Sequence, residues 1–393
     1  MSAFRRAQLS VGALFCLLGF QYSTWAARIP ALTDRLHLTA AEVGVLLLAA
    51  GVGAAVSFPI VAKLMAVLGS RRLSIAAGLT LIAALAGIGA APNYPVALAV
   101  LLVDGVAVGC LNVAMNAQGA ALEAAYERNT MARLHALFSG GIFTAALLAS
   151  GVTALTGSLA VHFGIAGALL VLLVLVARPA LLEQDLPAPP KAEGRRWSLP
   201  SKVGLWLGAA MALTTITEGA MTDWSALYLE RVAHAAPQVL PLGIAVTSAM
   251  MVTARLFADG WRARWGDKRV VLIGGAVAGA GLGLALAAGG VVPALAGFAC
   301  VGLGMAAVSP CLYVAAAREG STALTMAATM GTTGLLAGPP VIGLIAEATT
   351  LTTAMAVVAV TAWLAVLCVV PVRLGEDVTA SPRDAAADAA PQH

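Results

Sequence analysis

The segment LEQDLPAPPKAEGRRWSLPSK, residues 182–202, is the longest charged interruption in an otherwise apolar chain of 393 residues. Its prolines and mixed charges are typical of a flexible connection between two structured units. Six apolar runs precede this segment and six follow it. The sequence therefore predicts an N-terminal six-helix bundle over residues 1–181, a linker over 182–202 and a C-terminal six-helix bundle over 203–374.

The composition is that of a protein embedded in a membrane. Hydrophobic residues make up 60% of the chain and charged residues 11%, and the mean hydropathy is +0.91, whereas soluble domains carry about 25% charged residues. A spanning helix needs roughly 20 apolar residues, and the alternating polarity of barrel strands is absent. We expect an all-α membrane protein with twelve transmembrane helices and a disordered tail over residues 375–393.

The basic residues predict the orientation of these helices. If both termini lie in the cytoplasm, only Arg28, Arg35 and Arg231 of the 23 Lys and Arg residues fall on the external side. Basic residues in short loops remain cytoplasmic, so we expect this orientation. The net charge of +4 then reflects topology and does not indicate binding of nucleic acid.

Two short matches indicate an internal repeat. CLNVA at 110–114 resembles CLYVA at 311–315 with an offset of 201 residues, and WAA from residue 25 resembles WSA from residue 224 with an offset of 199. Concordant offsets on the two sides of a linker favour pseudo-symmetric halves. We expect the two bundles to face each other across a central cavity.

Four motifs carry a resemblance to a known family: WAARIPAL at 25–32, HALFSGG at 135–141, EGAMTDW at 218–224 and GLLAGPPVIGLIAE at 334–347. With them the chain resembles, over nearly its whole length, the major facilitator superfamily, and within it the bacterial group that contains MosC and YbjJ. The resemblance implies a monomeric secondary transporter of the bacterial inner membrane. Its expected substrate is a small polar solute such as a sugar, an inositol derivative or an amino-polyol.

The loop after the second span departs from the pattern of that superfamily. The family signature Gly-x-x-x-Asp-Arg-x-Gly-Arg-Arg joins the cytoplasmic helix ends, and Arg71 and Arg72 match it, but an alanine replaces its Asp. In the second half the corresponding place is again alanine, with Asp259 one helical turn earlier. Asp259 can pair with Arg255 or Arg262, because neighbours at i,i+3 and i,i+4 share a helix face. Arg71, Arg72 and Asp259 are therefore candidate gating residues.

Glu218 is the first candidate for proton coupling. It lies on a stripe with Thr214, Thr222 and Ser225, which suits the wall of a cavity that binds a polar substrate. Charged side chains within a membrane face a cavity or a partner, and a buried carboxyl group favours its neutral form. Proton exchange at Glu218 is one interpretation, and a hydrogen-bonded structural Glu between helices is the alternative.

Asp223 has a different expected role, because it lies about 140° around the helix from Glu218. The repeat alignment pairs Trp25 with Trp224 and brings Arg28 close to Asp223. A salt bridge between Arg28 and Asp223, beside Trp224, would close the outer mouth. The alternative is an Asp in interfacial water between tryptophans that anchor the helices in the headgroup region.

The fourth span carries a third intramembrane carboxylate, Asp104, close to the midplane of the membrane. Gly105 and Gly109 on the same stripe predict a close approach of another helix, and Asn112 and Asn116 can bind a polar ligand or another helix. Asp104 is either part of the proton and substrate site or a compensation for a neighbouring group.

Two histidines lie near helix ends. His135 begins the fifth span, and histidine titrates near neutral pH, so it is a candidate for the proton path or for an inner gate. The alternative is an ordinary packing or interfacial residue. His162 belongs to none of the four motifs, and we expect it to be interfacial.

Gly338, Pro339 and Pro340 predict a bent, tightly packed helix on which one bundle rocks, because proline removes a backbone donor and glycine permits close packing. Antiporters of the superfamily carry a Gly-Pro pattern in the fifth span. The corresponding segment FSGGIFTAALLASGVTALTG has no proline. Because the chain lacks this antiporter pattern, we expect it to import its substrate.

Four more side chains are candidates for the substrate surface. Gln21, Tyr22 and Trp25 of the first span and Tyr313 of the tenth can offer hydrogen bonds and aromatic faces to a polyol or a sugar ring. The alternative for these aromatic residues is ordinary packing between helices.

The sequence does not indicate an enzyme, a cofactor or a metal site. HExxH, Walker A and GxSxG motifs are absent, and the five cysteines lie within spans without CxxC spacing. We expect proton-coupled uptake by alternating access, with a small molecule, protons and the lipid bilayer as partners. The alternatives are a proton-driven exporter of drugs or metabolites and a membrane receptor or scaffold that does not transport.

Overall fold

The computed structural model describes residues 2–128, 130–183 and 201–372, without the side chains of Ala132, Asp259 and Ser321. Most of the linker predicted over 182–202 and the whole chain after Val372 lie outside the described residues. The boundaries predicted for the two bundles and for the tail therefore remain predictions.

The described residues form an all-helical fold. Its helices are α1 (Ala3–Ala26), α2 (Ile29–Leu36), α3 (Ala40–Ala90), α4 (Tyr94–Tyr126), α5 (Met131–Leu155), α6 (Leu159–Ala177), α7 (Lys202–Asp223), α8 (Ser225–Arg231), α9 (Leu242–Trp265), α10 (Asp267–Ala288), α11 (Val291–Met305), α12 (Val308–Arg318), α13 (Ser321–Ala348) and α14 (Leu351–Val369).

Nine helical segments within the described ranges are long and apolar enough to span a membrane, with α11 and α12 counted together. The longest, α3, has 51 residues and is interrupted at Gly69, where a φ of 70° breaks the helical path. It therefore supplies the second and third predicted spans. The remaining predicted spans are α7 and α9, which are 22 and 24 residues long but more polar. Length and composition alone thus do not fix the count of twelve.

The two halves repeat each other in their local structure. In the first half α1 ends beside Trp25 and the short helix α2 follows; in the second half α7 ends beside Trp224 and the short helix α8 follows. The break at Gly69 has a counterpart at Gly266, with a φ of 79°, between α9 and α10. Glycine adopts this left-handed backbone without steric cost, so both halves use it for the same turn. The predicted all-α fold with pseudo-symmetric halves is confirmed, while six spans in each half stay a prediction.

Close helix packing holds the first half together. Cβ atoms added at Gly53, Gly105 or Gly109 would overlap atoms of the neighbouring helix, so α3 and α4 approach each other at these positions. This confirms the close approach predicted from Gly105 and Gly109. Such contacts suit a membrane protein, because helices in lipid associate largely by van der Waals packing of small residues.

We call the two ends of the molecule the linker end, where Leu182 and Lys202 lie, and the Arg28 end, where α1 gives way to α2. Several contacts join the halves toward the Arg28 end. Gly343 of α13 packs on the Ala40 carbonyl and the Trp224 ring, and the Ala40 N–H donates to Glu347 at 3.1 Å.

A second junction at the Arg28 end involves the fifth span. Ser150 of α5 donates to the Gln238 carbonyl of the second half at 2.6 Å. Because these contacts come from α3 with α13 and from α5 with the segment before α9, they join the halves on more than one side of the bundle interface. The molecule is therefore closed between the halves at the Arg28 end.

We expect Gly53→Ala to destabilise the protein and Gly164→Ala not to. A methyl group at Gly53 would overlap the Leu102 carbonyl of α4, and overpacking costs about 1–3 kcal/mol. Gly164 of α6 faces open space, where alanine raises helix propensity by about 1 kcal/mol. Thermal unfolding in detergent measures both effects, and equal melting temperatures would contradict the close approach of α3 to α4.

Candidate functional site

A cavity of about 240 Å³ lies between the two halves. Helices α1, α3, α4 and α5 of the first half and α7 and α13 of the second contribute its walls. The predicted site residues among its lining are Tyr22, Trp25, Asp104, Asn112, Asp223 and Pro339. The structure thus brings together residues that are up to 317 positions apart in sequence.

A larger groove of about 630 Å³ lies elsewhere, at the linker end of the first half. Residues of α1, α4 and the end of α6 line it, and Arg6 is its charged member. All of this lining belongs to one half, so relative motion of the halves cannot open and close the groove. The smaller cavity between the halves is therefore the better candidate for a functional site.

Asp104 is held in this cavity by α1. The Gln21 Nε2 donates a hydrogen bond to Asp104 Oδ1 at 2.7 Å, and Asp104 is only 1% exposed. The pair joins α1 to α4 within the first half. Gln21, predicted to contact the substrate, is thereby occupied in positioning a carboxylate that lines the cavity.

Asp223 is held by the next residue of α1. The Tyr22 hydroxyl donates to Asp223 Oδ1 at 2.8 Å, and the Trp25 ring lies edge-on to the Tyr22 ring with centroids 5.9 Å apart. This hydrogen bond crosses from the first half to the second. Tyr22 and Asp223 therefore tie the halves together within the wall of the cavity.

Glu218 belongs to a separate polar cluster. It accepts a hydrogen bond from Ser309 of α12 at 3.1 Å and interacts electrostatically with Arg255 of α9. Arg255 also donates to Ser139 of α5 at 3.2 Å, which again crosses between the halves. Tyr313 of α12 also interacts electrostatically with Glu218. Arg255 thus links Glu218 to the other half.

The three candidates for proton coupling do not form one group. Asp104 lines the cavity, Glu218 lies in the cluster with Arg255, and His135 packs edge-on against Phe15 at a centroid distance of 5.1 Å. His135 is exposed and interacts electrostatically with Arg255, so Arg255 is the group shared by His135 and Glu218.

The other residues predicted to bind the substrate also do not all lie in the cavity. Asn112 lines the cavity, and Asn116 donates to the Asn112 side chain at 3.1 Å. Thr214 is fully buried, and its hydroxyl has no hydrogen-bond partner among the described residues. Thr222 is half-buried, and Tyr313 is 40% exposed beside Glu218 rather than in the cavity lining.

The predicted salt bridge between Arg28 and Asp223 is not formed in this structure. Arg28 instead donates to the Thr153 hydroxyl at 2.8 Å and to the Gly157 carbonyl at 2.6 Å, both within the first half. The physical reason is that Arg28 lies at the non-helical junction after α1, which directs its side chain toward the end of α5. Asp223 is tied across the halves by Tyr22 instead.

The structure also differs from one alternative and one expectation about interfacial residues. Trp25 and Trp224 are 1% and 0% exposed, so they pack inside the protein and do not anchor it in the headgroup region. His162 is likewise 0% exposed, and neither of its ring nitrogens has a partner among the described residues. These side chains lie near helix ends in sequence, and a position near a helix end therefore did not predict exposure.

The predicted bent helix contributes directly to the cavity. α13 runs without interruption through Gly338, Pro339 and Pro340. Gly338 packs on Ile216 of α7, while the backbone of Pro339 and Pro340 lies against Gly44 of α3. This segment therefore lies at the junction of both halves.

The loop residues predicted as gates lie at the linker end. Arg71 forms a salt bridge of 2.5 Å with Glu183, and Arg72 is exposed. Arg262 pairs with Asp267 at 2.8 Å. The side chain of Asp259 lies outside the described residues, so its predicted pairing is not tested.

Sequence reasoning did not single out several residues of these sites. Phe138 and Leu335 line the cavity, Ser309 donates to Glu218, and Glu347 binds α3. Phe138, Leu335 and Glu347 all occur in the motifs HALFSGG and GLLAGPPVIGLIAE, so a signal was present. Ser309 carried no such signal in the sequence, because a single serine in an apolar helix is common.

Comparison with known proteins identifies the class. The sequence pattern of the Major Facilitator Superfamily matches residues 10–322. The fold resembles that of the nucleoside transporter NupG, whose D323A mutant gives a TM-score of 0.75 at 15% sequence identity, covering 95% of this chain and 100% of that one. The chain belongs to the major facilitator superfamily and is a multi-pass membrane transporter of that type.

Relatives place it more narrowly. It is 32% identical over 361 residues to an uncharacterized MFS-type transporter of Yersinia pestis, covering 90% of this chain and 92% of that protein. It is 34% identical over 359 residues to the membrane protein MosC of Rhizobium meliloti, covering 86% of this chain and 83% of MosC. The chain is a member of the MosC-like group.

We expect Tyr22→Phe to favour opening at the Arg28 end, because it removes the hydrogen bond to Asp223 and leaves the ring in place. A hydrogen bond is worth about 0.5–1.5 kcal/mol, so the open-to-closed ratio should rise about two- to tenfold. Spin labels at the exposed positions Asp34 and Arg231, on α2 and α8, report the distance between the halves.

The matched control is Tyr126→Phe, which removes a hydroxyl at the linker end within the first half, where the ring packs on Phe4. The measurement uses a background in which the five native cysteines are replaced by alanine. An unchanged distance distribution in Tyr22→Phe would show that this hydrogen bond does not hold the halves together.

Proposed function

We propose that this protein takes up a small polar solute together with protons, by alternating access of the cavity between its halves. The observation that carries the proposal is the cavity itself, whose wall contains Asp104 from one half and Asp223 from the other. A site built from both halves changes shape when they rock, and transporters of this architecture bind their substrates between the repeats.

The proposed direction begins from the orientation of the chain. Basic loop residues favour the cytoplasmic side, and those of the described loops lie mainly at the linker end, for example Arg71 and Arg72. We therefore place the linker end and both termini in the cytoplasm of a bacterium, with the chain in its inner membrane as a monomer. In this orientation the structure is closed toward the outside.

Glu218 is the proposed coupling residue. Its carboxylate interacts electrostatically with Arg255, and the same guanidinium donates to Ser139 of the other half. Protonation of Glu218 removes the negative charge that competes with Ser139 for Arg255. The proton load of Glu218 thereby changes how strongly the two halves are joined, which is what coupling requires.

Uptake by reconstituted vesicles tests this proposal. Sugars, inositols, amino-polyols and lipophilic cations are added outside, and internal pH and solute uptake are recorded for the wild type and for Glu218→Gln. We expect a polar solute to enter with protons in the wild type. In Glu218→Gln we expect proton movement to fall at least tenfold while binding of the solute persists.

Glu319→Gln is the matched control, because it makes the same chemical change at an exposed position of the same half. Proton movement opposite to that of lipophilic cations would instead indicate an exporter. Binding of a polar solute without any flux would indicate a receptor and would refute the proposed transport.

A further inference from the structure

The larger groove, at the linker end of the first half, has no part in the proposed transport. Its volume is about 630 Å³, and α1, α4 and the end of α6 form its walls. Most of its lining is apolar, including Leu9 and Val176, and Arg6 is the charged member among the described residues that line it. On α1 the lining extends over residues 3–10, which is about 10 Å of helix. The groove is therefore an elongated site with apolar walls and one cation.

The groove continues into an exposed apolar stripe on α6. Ile165, Leu169, Leu172 and Val176 share one face of this helix, because they are spaced by four, three and four residues. They are 38–55% exposed, and other helices leave most of α6 uncovered. In a membrane such a face contacts lipid chains, which are as apolar as leucine. Val176 belongs to both the stripe and the groove lining, so the groove opens toward lipid.

The charges at this end of the molecule are mainly positive. Arg5 precedes Arg6 in the chain, Arg178 precedes a residue of the lining, and all three are exposed. None of them forms an ion pair with an Asp or Glu among the described residues. Glu183, which follows the last residue of the lining, is paired with Arg71 instead. Guanidinium groups match the geometry of phosphate, so Arg6 is available to a phosphate group.

One hydrogen bond fixes the order of these groups along the helices. The Ser10 hydroxyl of α1 donates to the Val176 carbonyl of α6 at 3.1 Å, so these two residues lie at the same level. Arg6 is one helical turn, about 6 Å, nearer the linker end. Leu172 and Leu169 lie farther from that end, within the spanning part of α6. The cation, the apolar groove and the apolar stripe therefore follow one another in the order of a phospholipid's headgroup and chains.

We infer that this groove binds one anionic phospholipid, whose phosphate contacts Arg6 and one of whose acyl chains lies along the stripe that ends at Val176. Anionic lipids attract basic groups near a membrane surface. A soluble phosphate compound would use Arg6 but leave the apolar walls and the stripe uncovered, so a lipid accounts for more of the site. Because the whole lining belongs to one half, the lipid binds without any movement of the halves. This site is therefore separate from the proposed transport site.

Lipid binding to the full-length protein in detergent tests the inference. Native mass spectrometry compares phosphatidylglycerol with phosphatidylcholine of the same acyl chains. We expect phosphatidylglycerol to bind about fivefold more tightly, because one basic residue near an anionic lipid has about this effect. The preference should decrease at high salt, which screens exposed charges. Inorganic phosphate and glycerol 3-phosphate should not compete, because they lack the acyl chains.

Variants separate the two parts of the site. Arg6→Gln should abolish the preference for phosphatidylglycerol and leave binding of phosphatidylcholine unchanged. Arg133→Gln is its matched control, because it makes the same change at an exposed position of the same half and the same end. Ala180→Trp fills the groove and should weaken binding of both lipids at least fivefold, whereas Ala160→Trp, exposed at the other end of α6, should not. Thermal unfolding without added lipid checks that each variant is folded.

A phosphatidylglycerol with a photoreactive group on one acyl chain locates the site. Its cross-links should fall within residues 165–176 and disappear in Ala180→Trp. Equal binding of the two lipids, an equal effect of Arg133→Gln and Arg6→Gln, or cross-links only elsewhere would overturn the inference. Competition by inorganic phosphate would assign the groove to a soluble anion, and a dimer lost in Ala180→Trp would assign it to a second copy of the chain. Either of these results would also overturn it.

Discussion

The cost of holding carboxylates away from water constrains the interior of this protein. Asp104, Asp223 and Glu218 lie in helices that span the bilayer, where a charged side chain needs a cavity or a partner. The fold provides a hydrogen-bond donor for each of them: Gln21 for Asp104, Tyr22 for Asp223 and Ser309 for Glu218. Asp104 and Asp223 line the cavity between the halves, whereas Glu218 lies in a separate cluster with Ser309 and Arg255.

Two consecutive residues of α1 each hold one of the two carboxylates of the cavity. Gln21 reaches a carboxylate of its own half, and Tyr22 reaches one of the opposite half. Neighbours in a helix point about 100° apart, so one turn of α1 contacts both walls of the cavity. Trp25, one turn further on, completes the wall beside Tyr22. A movement of α1 therefore changes the hydrogen bonds to Asp104 and to Asp223 together.

Small residues allow the halves to meet closely at the Arg28 end. Gly44 and Gly343 bring α3 against α13, and the Pro339 and Pro340 backbone packs at the same place. Arg255 provides a polar link nearer the Glu218 cluster, through Ser139. The interface thus combines tight apolar contacts with a few hydrogen bonds, and such bonds break and reform at modest cost because each is worth about 0.5–1.5 kcal/mol.

The sequence by itself determined the helical membrane architecture, the two related halves and the identity of most polar residues of the cavity. Those properties depend on local composition, on the helical period and on repeated motifs, which are all readable along one chain. Tyr22, Trp25, Asp104, Asn112, Asp223 and Pro339 were predicted as site residues and line one cavity.

Only the tertiary structure decided which of these residues bind each other. Arg28 was expected to pair with Asp223 but donates to Thr153 and Gly157, and Tyr22 holds Asp223 instead. His162 was expected at an interface but is buried. The physical reason is that pairing and burial depend on the rotation of each helix and on the direction of the chain at its ends. Contacts between helices set both, and the periodicity of one helix does not contain them.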